Sequence, residues 1–268
     1  AAGKFKNEKI MLKRLFIIIV VLICSITVNA INPSREYRFT PQGLQLEHEE
    51  YYLSTRDGYN LKVWHLPSDE PSTPIVISQS DAGNMGDWLY LGLYLQAYGF
   101  DVWMYDYRGF GGSDDFQIKK NQLFHTEFAT DLDAVVSYVV DYTDKVPALM
   151  GLSMGTIVID DYLRTSSIPI THIIYDGYVS NPKEWINKLK QIGKDVSLPK
   201  DYKKVRCFRS ASINKLYIVS TRDEYSKVED FSRQQLKKSK IVEFDSGHIS
   251  AFALFPNEYV REIQSFVL

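Results

Sequence analysis

Cysteine is nearly absent, with Cys24 and Cys207 the only two in 268 residues. At most one disulfide is available, and none if the N-terminal segment is removed, so the fold has to stand on packed apolar side chains. Cys207 has no neighbouring Cys or His in a metal-ligand pattern and reads as a half-buried structural thiol. An excess of positive charge is missing too, since 31 Lys and Arg face 33 Asp and Glu. That balance excludes a nucleic-acid partner, and Lys119-Lys120, Lys203-Lys204 and Lys237-Lys238 sit among acidic and polar neighbours as solvated faces. Neither GxxxxGK nor GxGxxG occurs, which removes the usual phosphate-cradling loops. No internal repeat, low-complexity tract or long linker divides the chain, so a single domain is the default.

Long apolar runs are also lacking. The longest, Leu15 to Val28, is 14 residues, short of the ~20 that cross a bilayer. It follows Lys9, Lys13 and Arg14 and fades into Val28-Asn29-Ala30, the pattern of a secretory signal with cleavage before Ile31. An uncleaved membrane anchor is the weighed alternative, and a lipoprotein reading at Cys24 is disfavoured by Ile23 where a small residue belongs. Residues 1–10 precede Met11 and read as an extension. The expected organisation is therefore 1–30 as extension and signal peptide and 31–268 as one domain of an exported protein. Without residues 1–30 the chain loses five basic and one acidic side chain, and its formal charge falls from −2 to −6. With 45% apolar and 13% aromatic residues, what remains is long enough to bury a full core.

Two β-rich runs, 49–55 and 59–65, flank Arg56-Asp57-Gly58 and predict an antiparallel hairpin. From Pro74 onward short runs rich in Val, Ile, Tyr and Leu alternate with segments of helical period, which is how βα units feed a parallel sheet. Strands are expected at 75–79, 101–105, 146–150, 170–175, 215–220 and 240–244. Helices are expected at 86–98, 127–141, 154–164, 182–192, 226–238 and 257–267. The long irregular segments 107–126 and 193–214 are candidate substrate-facing loops.

The strongest local signal is Gly151-Leu152-Ser153-Met154-Gly155, a GxSxG sequence between an expected strand and an expected helix. In that tight turn the glycines admit close backbone approach while Ser153 presents its hydroxyl. A serine hydroxyl needs a base within hydrogen-bond reach. Of five histidines, His48, His65, His125 and His172 precede or lie within other elements, and His248 alone follows the last expected strand. The acid that orients such a base is expected at another strand end between the two. Asp223 in Thr221-Arg222-Asp223 is preferred, with Glu224 adjacent to it and Asp176 as a rival. The order serine, acid, histidine is that of the α/β-hydrolase triad.

Through these motifs nearly all of residues 49–268 resembles the α/β-hydrolase superfamily, and within it the alpha/beta hydrolase domain-containing serine hydrolases. Asp106-Tyr107-Arg108-Gly109-Phe110-Gly111-Gly112-Ser113 looks like that family's DYRGxGxS segment, with a structural role for Arg108 and the glycines. Gln79-Ser80-Asp81-Ala82-Gly83-Asn84 stands where family members often carry HGNAGN, so AGN is kept and HG is not. The resemblance implies an α/β fold with a mostly parallel central sheet flanked by helices, an N-terminal antiparallel hairpin and a small cap or none. It also implies an oxyanion hole formed by the backbone N–H groups of Asp81 and Met154. A carboxylate at Asp81 opposes a developing negative charge, so its side chain is expected to turn away or bond a backbone donor. Trp88, Phe110, Phe116 and Phe252 are candidate rim aromatics. The implied chemistry is acyl transfer from a small-molecule substrate to water, with no metal or organic cofactor and membrane contact only through an uncleaved N-terminal segment. An acyltransferase or thioesterase, or a non-catalytic binding protein on the same fold, are the competing readings.

Overall fold

A computed structural model describes residues 29–68, 72–191, 193–202, 212–233 and 235–268. The expected signal segment up to Val28, Cys207 and the 203–211 part of the second long loop lie outside the described residues. In chain order the first elements are β1 (Asn32–Pro33), β2 (Glu49–Ser54), β3 (Asn60–Leu66), β4 (Thr73–Ser78), β5 (Ala82–Gly83), α1 (Leu89–Ala97) and β6 (Phe100–Tyr105). Then come α2 (Glu127–Thr143), β7 (Ala148–Leu152), α3 (Met154–Thr165), β8 (His172–Asp176) and α4 (Pro182–Gln191). The chain ends with β9 (Asn214–Ser220), β10 (Ser239–Phe244), α5 (Ala251–Leu254) and α6 (Pro256–Val267).

Eight strands form one sheet in the order β10-β9-β8-β7-β4-β6-β3-β2, parallel from β10 to β6 and closed by the antiparallel β3 and β2. The inner strands read as near-continuous apolar runs because helices cover both faces. Side chains alternate accordingly. Val76, Trp103, Leu149, Ile173 and Tyr217 pack on one face with Leu132 and Val136 of α2 and Ile157 of α3. Ile75, Ile77, Met104, Met150 and Leu216 pack on the other with Leu91 and Leu95 of α1 and Val260 and Ile263 of α6. β7 begins at Ala148, two residues later than expected, because Pro147 has no N–H to give the ladder.

The chain winds outward from β4 to β6, then crosses to β7 on the other side of β4. Loops leaving the carboxyl ends of β4 and β7 therefore diverge and leave a crevice at the switch point. The loop after β4 is clamped from behind by a two-stranded parallel pair, β1 with β5, in which Asn32 N–H donates to the Asp81 carbonyl and Ser34 N–H to that of Gly83, both at 2.8 Å. Ile31, fully buried, anchors that clamp in the core.

One expected helix does not form. Among the described residues of 226–238 the one helical element is a 3-10 turn at Val228–Asp230, followed by extended backbone at Phe231. Ser232 and Gln235 satisfy each other locally, Ser232 N–H donating to Gln235 Oε1 at 2.6 Å and Gln235 N–H to Ser232 Oγ at 3.3 Å. Such side chain to backbone bonds compete with helix. The buried Gln235 amide donates to the Tyr178 hydroxyl and the Ser180 carbonyl, so a helical period in sequence was overruled by a polar plug.

Candidate active site

Ser153 sits between β7 and α3 with φ 49° and ψ −110°, a left-handed conformation that a non-glycine residue adopts at a cost. Its N–H donates to the Asp176 carbonyl at 2.9 Å, and its carbonyl accepts from the Thr156 hydroxyl at 2.7 Å, so the strained turn is held from both sides. The flanking glycines are required by close approach. A Cβ on Gly155 would collide with the Ser78 carbonyl, and one on Gly151 would meet Thr156 N at 2.9 Å.

His248 lies in the loop between β10 and α5. Its Nε2 is 2.8 Å from Ser153 Oγ, and its Nδ1 is 2.5 Å from Asp223 Oδ2. Asp223 follows β9, and its second oxygen accepts the N–H groups of Tyr225 at 2.8 Å and Ser226 at 3.2 Å. Burial pushes the Asp223 carboxyl up, but the His248 hydrogen bond and charge and the two N–H groups outweigh it and hold it below the usual range. Burial alone would lower the imidazole of His248. The bond to Asp223 and its charge, followed by the charges of Asp176 and Asp81, reverse that and raise it.

The rival acid, Asp176, takes a different place. Its Oδ2 accepts the Tyr259 hydroxyl at 2.8 Å, its Oδ1 has no partner, and burial pushes its carboxyl up to about 6. It stands behind the imidazole as a charge and not as a hydrogen-bond partner. Gly177 beside it is needed because a Cβ there would meet His248 Cε1 at 2.7 Å.

The two expected oxyanion donors lie on the loops that leave β4 and β7. β4 and β7 pair through Ser78 and Gly151, and Asp81 and Met154 each stand three residues beyond that pair. Met154 opens α3, where an N–H has no intrahelical acceptor. Gln79 holds the start of the loop through its carbonyl, which accepts the Tyr107 hydroxyl at 3.1 Å, and through its amide, 3.4 Å from Asp106 Oδ1. Asp106, fully buried, also accepts the N–H groups of Met85 and Gly112 and the Tyr37 hydroxyl. Asp81 is half-buried, and burial pushes its carboxyl up against the opposing pull of its own backbone N–H and of the His248 and Lys194 charges.

The rim aromatics are a partial correction. Phe110 is buried against Tyr107 and Phe128 and is a core residue, and Phe252, partly buried, packs on Tyr94 and Tyr259 at the edge of the core. Trp88 packs on the core beneath α1. Phe116 lines a cavity of about 200 Å³ between the two long loops, walled also by His125, Lys119 and Lys200. Two groups at the mouth escaped sequence reasoning. Tyr225 turns its ring edgewise to His248 at 6.1 Å, and Lys194 Nζ lies 5.8 Å from the Tyr225 ring. Nearness to Asp223 in sequence was the available signal for Tyr225; for Lys194 there was none.

A family model described as serine aminopeptidase, S33, matches residues 71–238, more than half of the chain. The chain belongs to this family of α/β-hydrolases. Parts of the chain also align with curated relatives. YfhR of Escherichia coli K12 is 29% identical over 153 residues, covering 53% of this chain and 52% of its own. Mouse lipase member M is 31% identical over 142 residues, covering 45% of this chain and 33% of its own. The matched stretches thus span about half or less of these curated relatives. Among solved structures, the Pyrococcus furiosus esterase Pf2001 superposes with a TM-score of 0.70 at 20% identity, over 88% of this chain and 97% of that one. The esterase EaEST of Exiguobacterium antarcticum gives 0.60 at 16%, over 82% and 99%. These two structures share the fold of this chain.

Proposed function

We propose that this α/β-hydrolase is a serine hydrolase that cleaves an ester-type bond of a small acyl substrate through an acyl-enzyme. The observation that carries this reading is the contact chain from Ser153 Oγ to His248 Nε2 and from His248 Nδ1 to Asp223. Ser153 Oγ attacks the carbonyl carbon as its proton passes to His248 Nε2, and the C=O electron pair moves onto oxygen. The oxyanion is met by the N–H groups of Asp81 and Met154. Collapse expels the alkoxide, which takes the proton from His248, and leaves the acyl group on Ser153. Water repeats the sequence, giving the free acid and restoring the serine. Asp223 keeps the imidazole in the tautomer with its proton on Nδ1 and stabilises the imidazolium. An exported location belongs to the same proposal and rests on the sequence pattern of residues 9–30.

A fluorophosphonate probe tests the reading. Wild-type protein is expected to be labelled, and Ser153→Ala is not. Well-folded wild type that resists labelling would overturn it in favour of a binding protein. Esters of graded acyl length, with thioesters and amides alongside, then separate an esterase from a thioesterase. Added alcohol acceptors reveal an acyltransferase.

A further inference from the structure

Ala82-Gly83-Asn84, at the far end of the loop after β4, takes no part in the proposed reaction. Ala82 and Gly83 pair in parallel with Asn32 and Pro33, so a strap of chain from Ala30 to Phe39 runs behind the loop. Ile31, fully buried, anchors one end, where its N–H and that of Ala30 both donate to the Lys120 carbonyl. Arg35 holds the middle, donating to the Phe110 and Ser113 carbonyls at 3.1 and 2.8 Å. At the other end the strap passes so close to Gly86 that a Cβ there would lie 2.5 Å from the Phe39 carbonyl oxygen.

Asn84 ties loop and strap together. Its side-chain amide donates to the Glu36 carbonyl at 2.7 Å and to the Ser34 carbonyl at 3.2 Å, while its Oδ1 accepts the Gly86 N–H at 3.0 Å. The residue is 1% exposed, and a carboxamide alone offers two donors and an acceptor on so short a stem. Gly83 before it has φ 73°, and a Cβ there would collide with the Asp87 carboxylate, so the chain can reach Asn84 in this way only through glycine. None of the Asn84 partners belongs to the triad.

The Asp81 N–H lies between two tethered carbonyls. That of Gln79 is held from the core by the Tyr107 hydroxyl at 3.1 Å, and that of Asp81 is held by the strap, through Asn32 N–H at 2.8 Å. With the strap seated, both sides of the donor are fixed. With the strap loose, one side is free, and a hydrogen bond to a developing oxyanion weakens steeply as its donor turns away.

We propose that Asn84 is a positioning residue for the acyl-transfer reaction, which seats the strap and thereby fixes the Asp81 N–H for the oxyanion without touching the triad. This inference rests on the serine-hydrolase reading above, and the test keeps the two apart.

Asn84→Ala is compared with wild type on the p-nitrophenyl ester that wild type turns over fastest, and on the trifluoromethyl ketone with the same alkyl chain. Ser153 Oγ adds to the ketone carbon, its proton passes to His248 and the C=O electron pair moves onto oxygen, so the ketone forms the oxyanion and stops there. In Asn84→Ala, kcat per fluorophosphonate-titrated site is expected to fall about thirtyfold and ketone affinity by a similar factor, with KM changed less than about twofold. The acid limb of kcat/KM should stay in place, since His248 and its neighbours are unaltered. A lower urea midpoint with kcat and ketone affinity unchanged would make Asn84 a structural bond and overturn the assignment alone. Hydrogen exchange in wild type needs no variant to fold. Because coupling between sites is reciprocal, the ketone is expected to slow exchange of the Asn32 and Ser34 amides more than that of the β10 amides. Equal slowing in both would likewise overturn the assignment. Folded wild type that turns over no ester and resists the fluorophosphonate would overturn the hydrolase reading and the assignment with it.

Discussion

Two clusters of buried charge lie on the same sheet and are built on opposite rules. In the first, Arg108 is 1% exposed and donates to Asp57 at 2.6 and 2.9 Å and to Asp131 at 2.7 and 2.8 Å, with the Tyr59 ring 4.1 Å from its guanidinium carbon. Its donors are used, and the Arg108 bond holds the Asp57 carboxyl down to about 2. In the second, His248 is faced by Asp223, Asp176 and Asp81, and only Asp223 touches it. While the imidazole is neutral, this cluster carries more negative charge than it can pair. The first arrangement joins the β2–β3 turn, the loop after β6 and α2 into one rigid corner. The second leaves a field that is satisfied only when the imidazole becomes an imidazolium, which is the species the proposed reaction creates. Charge tied up in hydrogen bonds holds a fold together; charge left out of contact is kept for chemistry.

The contrast is sharpened most by substitutions in the second cluster, which should abolish turnover and spare the fold. Ser153→Ala is expected to lower kcat by about 10⁶-fold, with an unchanged urea midpoint. Asp223→Asn should cost about 10⁴-fold in kcat, because the amide cannot hold the proton on Nδ1, again with little change in stability. A loss below tenfold in steady-state kinetics would mean that Asp176 or another group takes over the orienting role.

The first cluster should answer in stability and not in rate. Arg108→Met strands the Asp131 carboxylate, 0% exposed, without its cation and is expected to destabilise the fold by about 3–5 kcal/mol in urea titration. An unchanged midpoint would show that the pairing is not what ties α2 to the loop after β6.

The smallest effect is the most diagnostic. His248 must be neutral to accept the Ser153 proton, and negative neighbours favour its charged form, so the acid limb of kcat/KM should lie above the ordinary imidazole value. Asp176→Asn removes one of those neighbours without breaking the bond to Asp223, and the limb should move to lower pH by about half a unit. A limb that stays in place would mean that Asp176 is already protonated when His248 titrates.

The elbow was legible in sequence because its requirements are local: a strand end, two glycines and a serine within five residues. His248 was legible by elimination, since the other four histidines belong to other elements. The acid was only narrowed, because Asp176 and Asp223 both end parallel strands and face the same rim. The helix expected at 226–238 failed since its apolar period could not reveal that Gln235 would be drawn inward by Tyr178 and Ser180, residues some 55 positions away. Phe110 and Phe252 were misplaced at the rim for a similar reason, as loop membership in sequence says little about which way a ring points.

Sequence by itself determined the alternation of strands and helices, the nucleophile turn and the order of serine, acid and histidine. These depend on side-chain period, on glycine where a Cβ cannot fit, and on residues within a few positions of one another. Only the tertiary structure decided which carboxylate bonds the imidazole and which merely lends it charge. Those roles are fixed by register across β4, β7, β8 and β9 and by distance, and charge acts through space with no regard for separation along the chain.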